Sequence, residues 1–188
     1  WNQLEAAKRD GFFIANLDKD QPDSRKYKSC VGLLNAEGRL VIDTIHQSIY
    51  AFSENYLLVA DKEKIGVMDY SGKWVLPQEF VSISYLYGDF FRVEYAGNKF
   101  NVVNGKGEKQ FARDYQIILP VYISATKPWY LECIAQDNRS SLADSSFQLI
   151  FTDTLTRIIN DIKLIDTSLV HFRVNDGGNN YYNVDRRG

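Results

Sequence analysis

Five positions, Gly32, Gly66, Asn101, Ser141 and Tyr182, anchor copies of one short pattern, and nothing else in this 188-residue chain restricts its fold as tightly. The anchors lie 34, 35, 40 and 41 residues apart. Three residues past each stands an Asx: Asn35, Asp69, Asn104, Asp144 and Asp185. Six past stand Gly38, Gly72, Gly107, Phe147 and Gly188, so the fourth copy alone breaks the column. Fourteen past come the large side chains His46, Phe80, Tyr115 and Leu155, and seventeen past come Ile49, Ile83, Ile118 and Ile158. The two polar columns have a mechanism. An Asx side chain caps the backbone two residues on, and a glycine three residues later takes the left-handed conformation that closes a type I turn with a bulge. The cleanest copy, Lys64 to Phe80, reads as a strand (Ile65 to Met68), a turn (Asp69-Tyr70-Ser71-Gly72), a second strand (Lys73 to Leu76) and an exit at Pro77.

A fixed period of this length marks a propeller, solenoid or array. We expect an all-β chain of tandem antiparallel four-strand repeats of about 35–41 residues, arranged as a propeller-like ring or an open twisted array, in a single domain over residues 1–188. In the second unit the four strands read as Tyr56 to Asp61, Ile65 to Tyr70, Lys73 to Leu76 and Val81 to Leu86; the unit anchored at Tyr182 is incomplete. Ile42, Leu76, Phe111 and Phe151 are the core candidates, one per complete unit. Trp1 to Asp10, WNQLEAAKRD, is the one segment rich in helix formers, with Asn2 to cap it and Gly11 to stop it. It is expected to form a short N-terminal helix covering the first unit's open edge.

Composition agrees with strands: 14% of residues are aromatic, with 12 Tyr and 11 Phe. A net charge of −2 supplies no electrostatic reason to bind nucleic acid, and Arg25, Lys26 and Lys28 form only a short cluster. Cys30 and Cys133 sit in apolar runs and are expected as buried free thiols rather than a bridge. No apolar run is long enough for a membrane-spanning helix. The start at Trp1 and the end at Gly188, inside a turn, lead us to expect a piece of a longer protein.

GVMDYSGKWVLPQEF (Gly66 to Phe80) and GLLNAEGRLVI (Gly32 to Ile42) resemble WG repeats, also called KWG repeats, whose pattern is an aromatic strand, Trp-Gly-apolar-x-Asp, an x-x-Gly turn, an apolar strand, Pro and an aromatic. The resemblance extends more weakly over Phe12 to Gly188. The family Trp is replaced by Val31, Ile65, Phe100, Ser140 and Tyr181, the anchor Gly persists only at 32 and 66, and Trp74 lies in the following strand. A diverged member implies a non-catalytic bacterial module, often exported, with the periplasm or cell surface favoured over the cytoplasm.

Extra length in repeat proteins marks binding faces. It falls at Pro120 to Trp129 and around Asn160 to Ser168, both at the end of the meander that carries the Asx turns; the polar loop Asp18 to Lys26 lies at the other end. Tyr85, Tyr87, Tyr122, Trp129 and Tyr130 are therefore the candidate partner-binding residues. Aromatics at such places also cap the ends of β cores, and both readings stay open.

Catalytic signatures are missing. His46 occupies the large-residue column and reads as a packed ring, and His171 has no Cys or second His at metal spacing. No G-x-S-x-G or phosphate-cradling glycine loop occurs. Asp18, Asp20 and Asp23 offer oxygens at close spacing but lack the Gly and bidentate Glu of a calcium loop, so a solvated turn is favoured. We expect no cofactor, no metal and no enzyme activity. The reading is a binding scaffold for a protein or peptide. The alternative is a cell-envelope carbohydrate-binding module, and a hydrolase using paired Asx-turn carboxylates stands third.

Overall fold

A computed structural model describes residues 3–19, 28–122, 128–155, 157–166, 169–175 and 181–184; for 17–19, 28–29, 122, 128–129 and 151–184 the description is of the backbone. Five sheets follow one another along the chain. The first comprises β1 (Gln3–Ala6), β2 (Phe13–Lys19), β3 (Lys28–Leu34) and β4 (Leu40–His46). The second comprises β5 (Ser48–Ala51), β6 (Tyr56–Asp61), β7 (Lys64–Asp69) and β8 (Trp74–Phe80). The third holds β9 (Ser82–Tyr87), β10 (Phe90–Tyr95) and β11 (Lys99–Asn104), and the fourth β12 (Ile117–Tyr122), β13 (Pro128–Ile134), β14 (Ser140–Asp144) and β15 (Leu149–Leu155). β16 (Arg157–Asp166), β17 (Leu169–Asn175) and β18 (Tyr181–Val184) form the fifth. Each sheet is an up-and-down meander, and the described residues contain no helix.

Two expectations are corrected. The N-terminal segment is not a helix: Gln3 to Ala6 pair antiparallel with Phe13 to Asn16 as the edge strand β1. Gly11, at φ +77°, closes the turn that makes this pairing possible, and a row of ladder bonds to β2 outweighs a helix propensity of a few tenths of a kcal/mol per residue. The phase of the repeat also moves by one strand. Ser82–Tyr87 does not finish the second sheet; it opens the third beside β10, while Ser48–Ala51 opens the second beside β6.

The Asx column performs the role its chemistry implies. Asp69 Oδ1 accepts from the N–H of Ser71 at 2.9 Å and of Lys73 at 3.1 Å, and the Gly72 N–H donates to the Asp69 carbonyl at 3.1 Å. Asn35, Asn104 and Asp144 accept in the same way from Arg39, Glu108 and Gln148 N–H at 2.9, 3.0 and 3.0 Å. Phe147, the residue that breaks the glycine column, still adopts the left-handed conformation at φ +63° and donates its N–H to Asp144 O at 3.0 Å. Its ring explains the exception. It is buried against Phe90 (4.7 Å between centroids), Phe111 (5.9 Å) and Tyr87 (6.2 Å, stacked). Restoring the pattern with Phe147→Gly should therefore destabilise, because the lost aromatic burial of about 3–5 kcal/mol exceeds the roughly 1–2 kcal/mol of left-handed strain that is relieved. A urea midpoint below that of the parent protein is the expected measurement.

The anchor column has a structural meaning too. In the first, second and fourth sheets the strand after the Asx turn bulges opposite the anchor. Val31 pairs His46 and Leu33 pairs Ile42; Ile65 pairs Phe80 and Val67 pairs Leu76; Ser140 pairs Leu155 and Leu142 pairs Phe151. The bulge presses on the anchor, so a β-carbon built on Gly32 would stand 2.5 Å from the Ile42 carbonyl oxygen and one on Gly66 2.6 Å from Trp74 Cζ3. In the third sheet the anchor is Asn101, fully buried, and the fourth strand is replaced by two isolated bridges, Phe100 to Tyr115 and Val103 to Lys109. Asn101 Nδ2 lies 3.1 Å from the Phe111 and Arg113 carbonyl oxygens and 2.9 Å from Asp114 Oδ1, while its Oδ1 accepts from Phe111 N–H at 3.2 Å and Val102 N–H at 2.9 Å. One side chain thus takes over hydrogen bonds that a regular strand would have made.

The chain divides into two compact units, residues 1–85 with 105–107, and residues 86–104 with 108–188. In the first, Val31, Leu33 and Ile42 pack with Ile49, Leu57, Val59, Met68 and Tyr70. In the second, Leu86, Val102, Phe111 and Tyr115 pack with Ile118, Leu131, Cys133, Ala143 and Phe147. The predicted core residues Ile42, Leu76 and Phe111 are all buried, whereas the side chain of Phe151 lies outside the described set. Cys30 and Cys133 are buried free thiols, and burial, with the Glu132 charge adding, pushes the Cys133 thiol up to about 12. No helix among the described residues is long and apolar enough to cross a membrane.

Candidate functional site

In the first unit the Asx turns share their end of the meander with the β1–β2 and β5–β6 connections. A polar cleft of about 430 Å³ opens there, lined by Lys8, Arg9 and Asp10 from the first connection and Glu54 and Asn55 from the second. Local chemistry shapes both walls. Gly11 reverses the chain after Asp10, and Phe12 N–H donates to Arg9 O at 3.3 Å. On the facing wall Ser53 Oγ accepts from the N–H of Asn55 at 3.2 Å and Tyr56 at 3.0 Å, a serine turn that presents Glu54 and Asn55 outward.

The walls are tied together from below. Tyr70, the residue after the Asx of the second unit, is 2% exposed and donates its hydroxyl to Ser53 O at 3.1 Å. Burial pushes its phenol up, against the lowering effect of the Arg9 and Lys8 backbone N–H groups close by. Lys8 Nζ donates to Phe52 O at 3.1 Å, and the Arg9 guanidinium lies 5.5 Å from the Phe12 ring centroid and 5.7 Å from that of Tyr70. Aromatics flank the β5–β6 connection: Phe52 meets Tyr85 edge-on at 5.8 Å and Tyr56 lies 6.5 Å from Tyr85. Tyr50 is 59% exposed, with Lys8 Nζ 5.9 Å from its ring.

The five sequence-predicted residues are placed differently from one another. Tyr85, partly buried, adjoins the loop that forms one wall of the cleft. Tyr87 belongs to the second unit, where its hydroxyl donates to Ser145 O within an Asx turn and its ring stacks on Phe147. Tyr130 is 2% exposed and pairs with Val121 and Asp144 in the fourth sheet. Tyr122 and Trp129 occupy β12 and β13, and their side chains lie outside the described set. Lys8 to Asp10 lie in the segment expected as helix, and nothing in the sequence links them to Glu54 and Asn55. The Asp10-Gly11 dipeptide, a strong hairpin signal, could have found the turn that holds Lys8 to Asp10.

His46 is a packed ring, 6% exposed and edge-on to Trp74, but it also has a charged partner. Its Nδ1 lies 2.6 Å from Asp61 Oδ2, and Asp61 accepts further from Gln47 N–H at 2.8 Å and Gln78 Nε2 at 2.9 Å; Gln47 Oε1 in turn accepts from the Lys62 N–H. Burial alone would raise the Asp61 carboxyl, but the hydrogen bonds from His46, Gln78 and Gln47 together hold it below its ordinary value. A carboxyl depressed in the folded state contributes stability that is complete above its unfolded value of 3.8 and is lost as pH falls through its folded value. Urea midpoints of the parent protein and Asp61→Asn should therefore differ at pH 7 and converge as the pH is taken below 3.8. Among the described residues no group of three or more His, Cys, Asp or Glu could hold a metal ion. Asp18 has a described backbone only, and Asp20, Asp23 and the side chain of His171 fall outside the described residues.

The family model for the WG containing repeat matches residues 32–64 and 65–100. No curated protein matches the chain. Among solved structures, the crystal structure of HIRA(644-1017) is similar at 10% identity and a TM-score of 0.41, over 79% of this chain and 52% of that one. Hsv2 of Kluyveromyces lactis, with complete loop 6CD, is similar at 10% identity and a TM-score of 0.42, over 91% of this chain and 57% of that one. BamB from Moraxella catarrhalis is similar at 10% identity and a TM-score of 0.35, over 96% and 69%. The chain thus spans a little over half the length of the first two.

Proposed function

We propose that this chain, whose residues 32–100 are WG repeats, is a non-catalytic scaffold that binds a protein or peptide at the Asx-turn end of its first unit. The observation that carries the reading is the polar cleft between residues 8–10 and 54–55, with its walls tied by Tyr70 and Lys8. Pre-organised walls reduce the ordering cost of binding, and the aromatics beside them offer contact area with few rotatable bonds. For a glycan, the exposed Tyr50 ring is the natural platform, but the Lys8 ammonium already sits near that ring, which favours the peptide reading.

The test compares the two ends of one sheet. A photo-crosslinking residue is placed at Asn55, beside the cleft, and in a second protein at Lys62, in the β6–β7 turn at the opposite end. Adducts with one partner from Asn55 and not from Lys62 are expected. Equal labelling at both ends, or labelling at Lys62 alone, would remove the assignment.

A further inference from the structure

We propose that the cleft recognises a zwitterionic pair, a carboxylate and an ammonium or guanidinium group a few ångströms apart, carried by a short extended segment of the partner. The inference rests on the peptide-binding reading above and assigns the chemistry of that site. Cationic Lys8 and Arg9 stand on one wall with Asp10 beside them, and Glu54 with Asn55 stands on the other. Among the described residues, Arg9, Asp10 and Glu54 enter no ion pair. Arg9 is oriented by the faces of Phe12 and Tyr70, contacts that leave its guanidinium N–H donors unspent, and Lys8 commits one donor, to Phe52 O. An anion would pair with Lys8 and Arg9 but meet Asp10 and Glu54, a cation would pair with Asp10 and Glu54 but meet Lys8 and Arg9, and an apolar ligand would desolvate all four charges without pairing them. A ligand bearing both signs pairs with the cations and the carboxylates together, and about 430 Å³ accommodates two or three residues of it.

The 188-residue chain is titrated with four octapeptides capped at both ends, alternating Glu-Lys, all-Glu, all-Lys and uncharged Gly-Ser, and with glycylglycine as a free zwitterion, with the Asn55 side-chain amide followed by NMR. The alternating peptide should bind at least about tenfold more tightly than either single-sign peptide and should shift the Asn55 amide. Arg9→Glu and Glu54→Lys, both at exposed positions, should each weaken it about tenfold, Glu54→Lys with an unchanged urea midpoint and Arg9→Glu with a midpoint lowered only by the loss of its two ring contacts, and the double reversal should recover most of the binding loss. Equal binding of a single-sign peptide, or no binding of any peptide, overturns the inference. Binding that ignores both reversals overturns the cleft while leaving a peptide scaffold standing. Glycylglycine binding as tightly as the octapeptide keeps the zwitterion chemistry and overturns an extended segment of a partner as its source.

Discussion

Asn101→Asp should cost about 3–5 kcal/mol of folding stability although it changes the side chain by a single atom type. Asn101 is fully buried, and its amide nitrogen faces two backbone carbonyls, of Phe111 and Arg113, and the Asp114 carboxylate. A carboxylate there places oxygen against three acceptors and a negative charge beside Asp114. The Asp114 carboxyl, which burial would raise, is held below its ordinary value by Lys109 and Asn101 itself, so the substitution turns a supporting partner into a repelling one. Asn101→Ala separates charge from hydrogen bonding. It leaves the Phe111 N–H and the two carbonyls without their side-chain partner, at about 1–3 kcal/mol for each buried group left unsatisfied. Urea unfolding with tryptophan fluorescence and far-UV circular dichroism would measure both variants. Midpoints within error of the parent protein would show that the 109–115 segment can close on β11 without the amide.

The second large effect is expected at Gly32. Gly32→Ala should destabilise by about 3 kcal/mol, at the upper end of what overpacking costs, because the added methyl meets the Ile42 carbonyl oxygen at 2.5 Å and Thr44 Cγ2 at 2.7 Å. The first obstacle is backbone within the bulge of β4 and cannot rotate away. Gly66→Ala provides the internal comparison. There the nearest atom is the rim of the Trp74 ring at 2.6 Å, a side chain 38% exposed and able to swing outward, before the Leu76 carbonyl at 2.9 Å is met. The Gly66 variant should therefore lose less than the Gly32 variant. Adding Trp74→Ala should recover part of its loss, read as a coupling in a double-mutant cycle.

These two positions also show how the anchor column should be understood. In the sequence it is a mark of periodicity. In the structure the anchors at 32, 66 and 141 face a bulged neighbouring strand and have no side chain (Gly32, Gly66) or a small buried one (Ser141), while at 101, where that strand is missing, Asn101 supplies hydrogen bonds in its place.

Turn chemistry was readable because it is local. An Asx and the residue three after it close a turn through bonds that span at most four residues, so Asn35, Asp69, Asn104 and Asp144 could be identified from spacing alone. Burial of Ile42, Leu76 and Phe111 followed from the same period, since a strand held in register by its turn sends alternate residues to one face. Strand grouping was not readable in this way. A meander of similar strands joined by short turns has no internal mark of where one sheet ends, and Ser82–Tyr87 pairs with β10 rather than with β8.

The candidate site lies on the same side of this division. Lys8, Arg9 and Asp10 sit more than forty residues from Glu54 and Asn55, and no periodic signal links them. They meet because β1 adds to the edge of the first sheet, against its helix-forming composition, and because a buried tyrosine binds the two turns. Sequence alone established the all-β repeat, its Asx turns and the end of each meander at which those turns lie, since all of these rest on bonds between near neighbours. Which charges face one another across that end was decided only by tertiary structure, because such pairing depends on long-range strand addition that local propensity opposes.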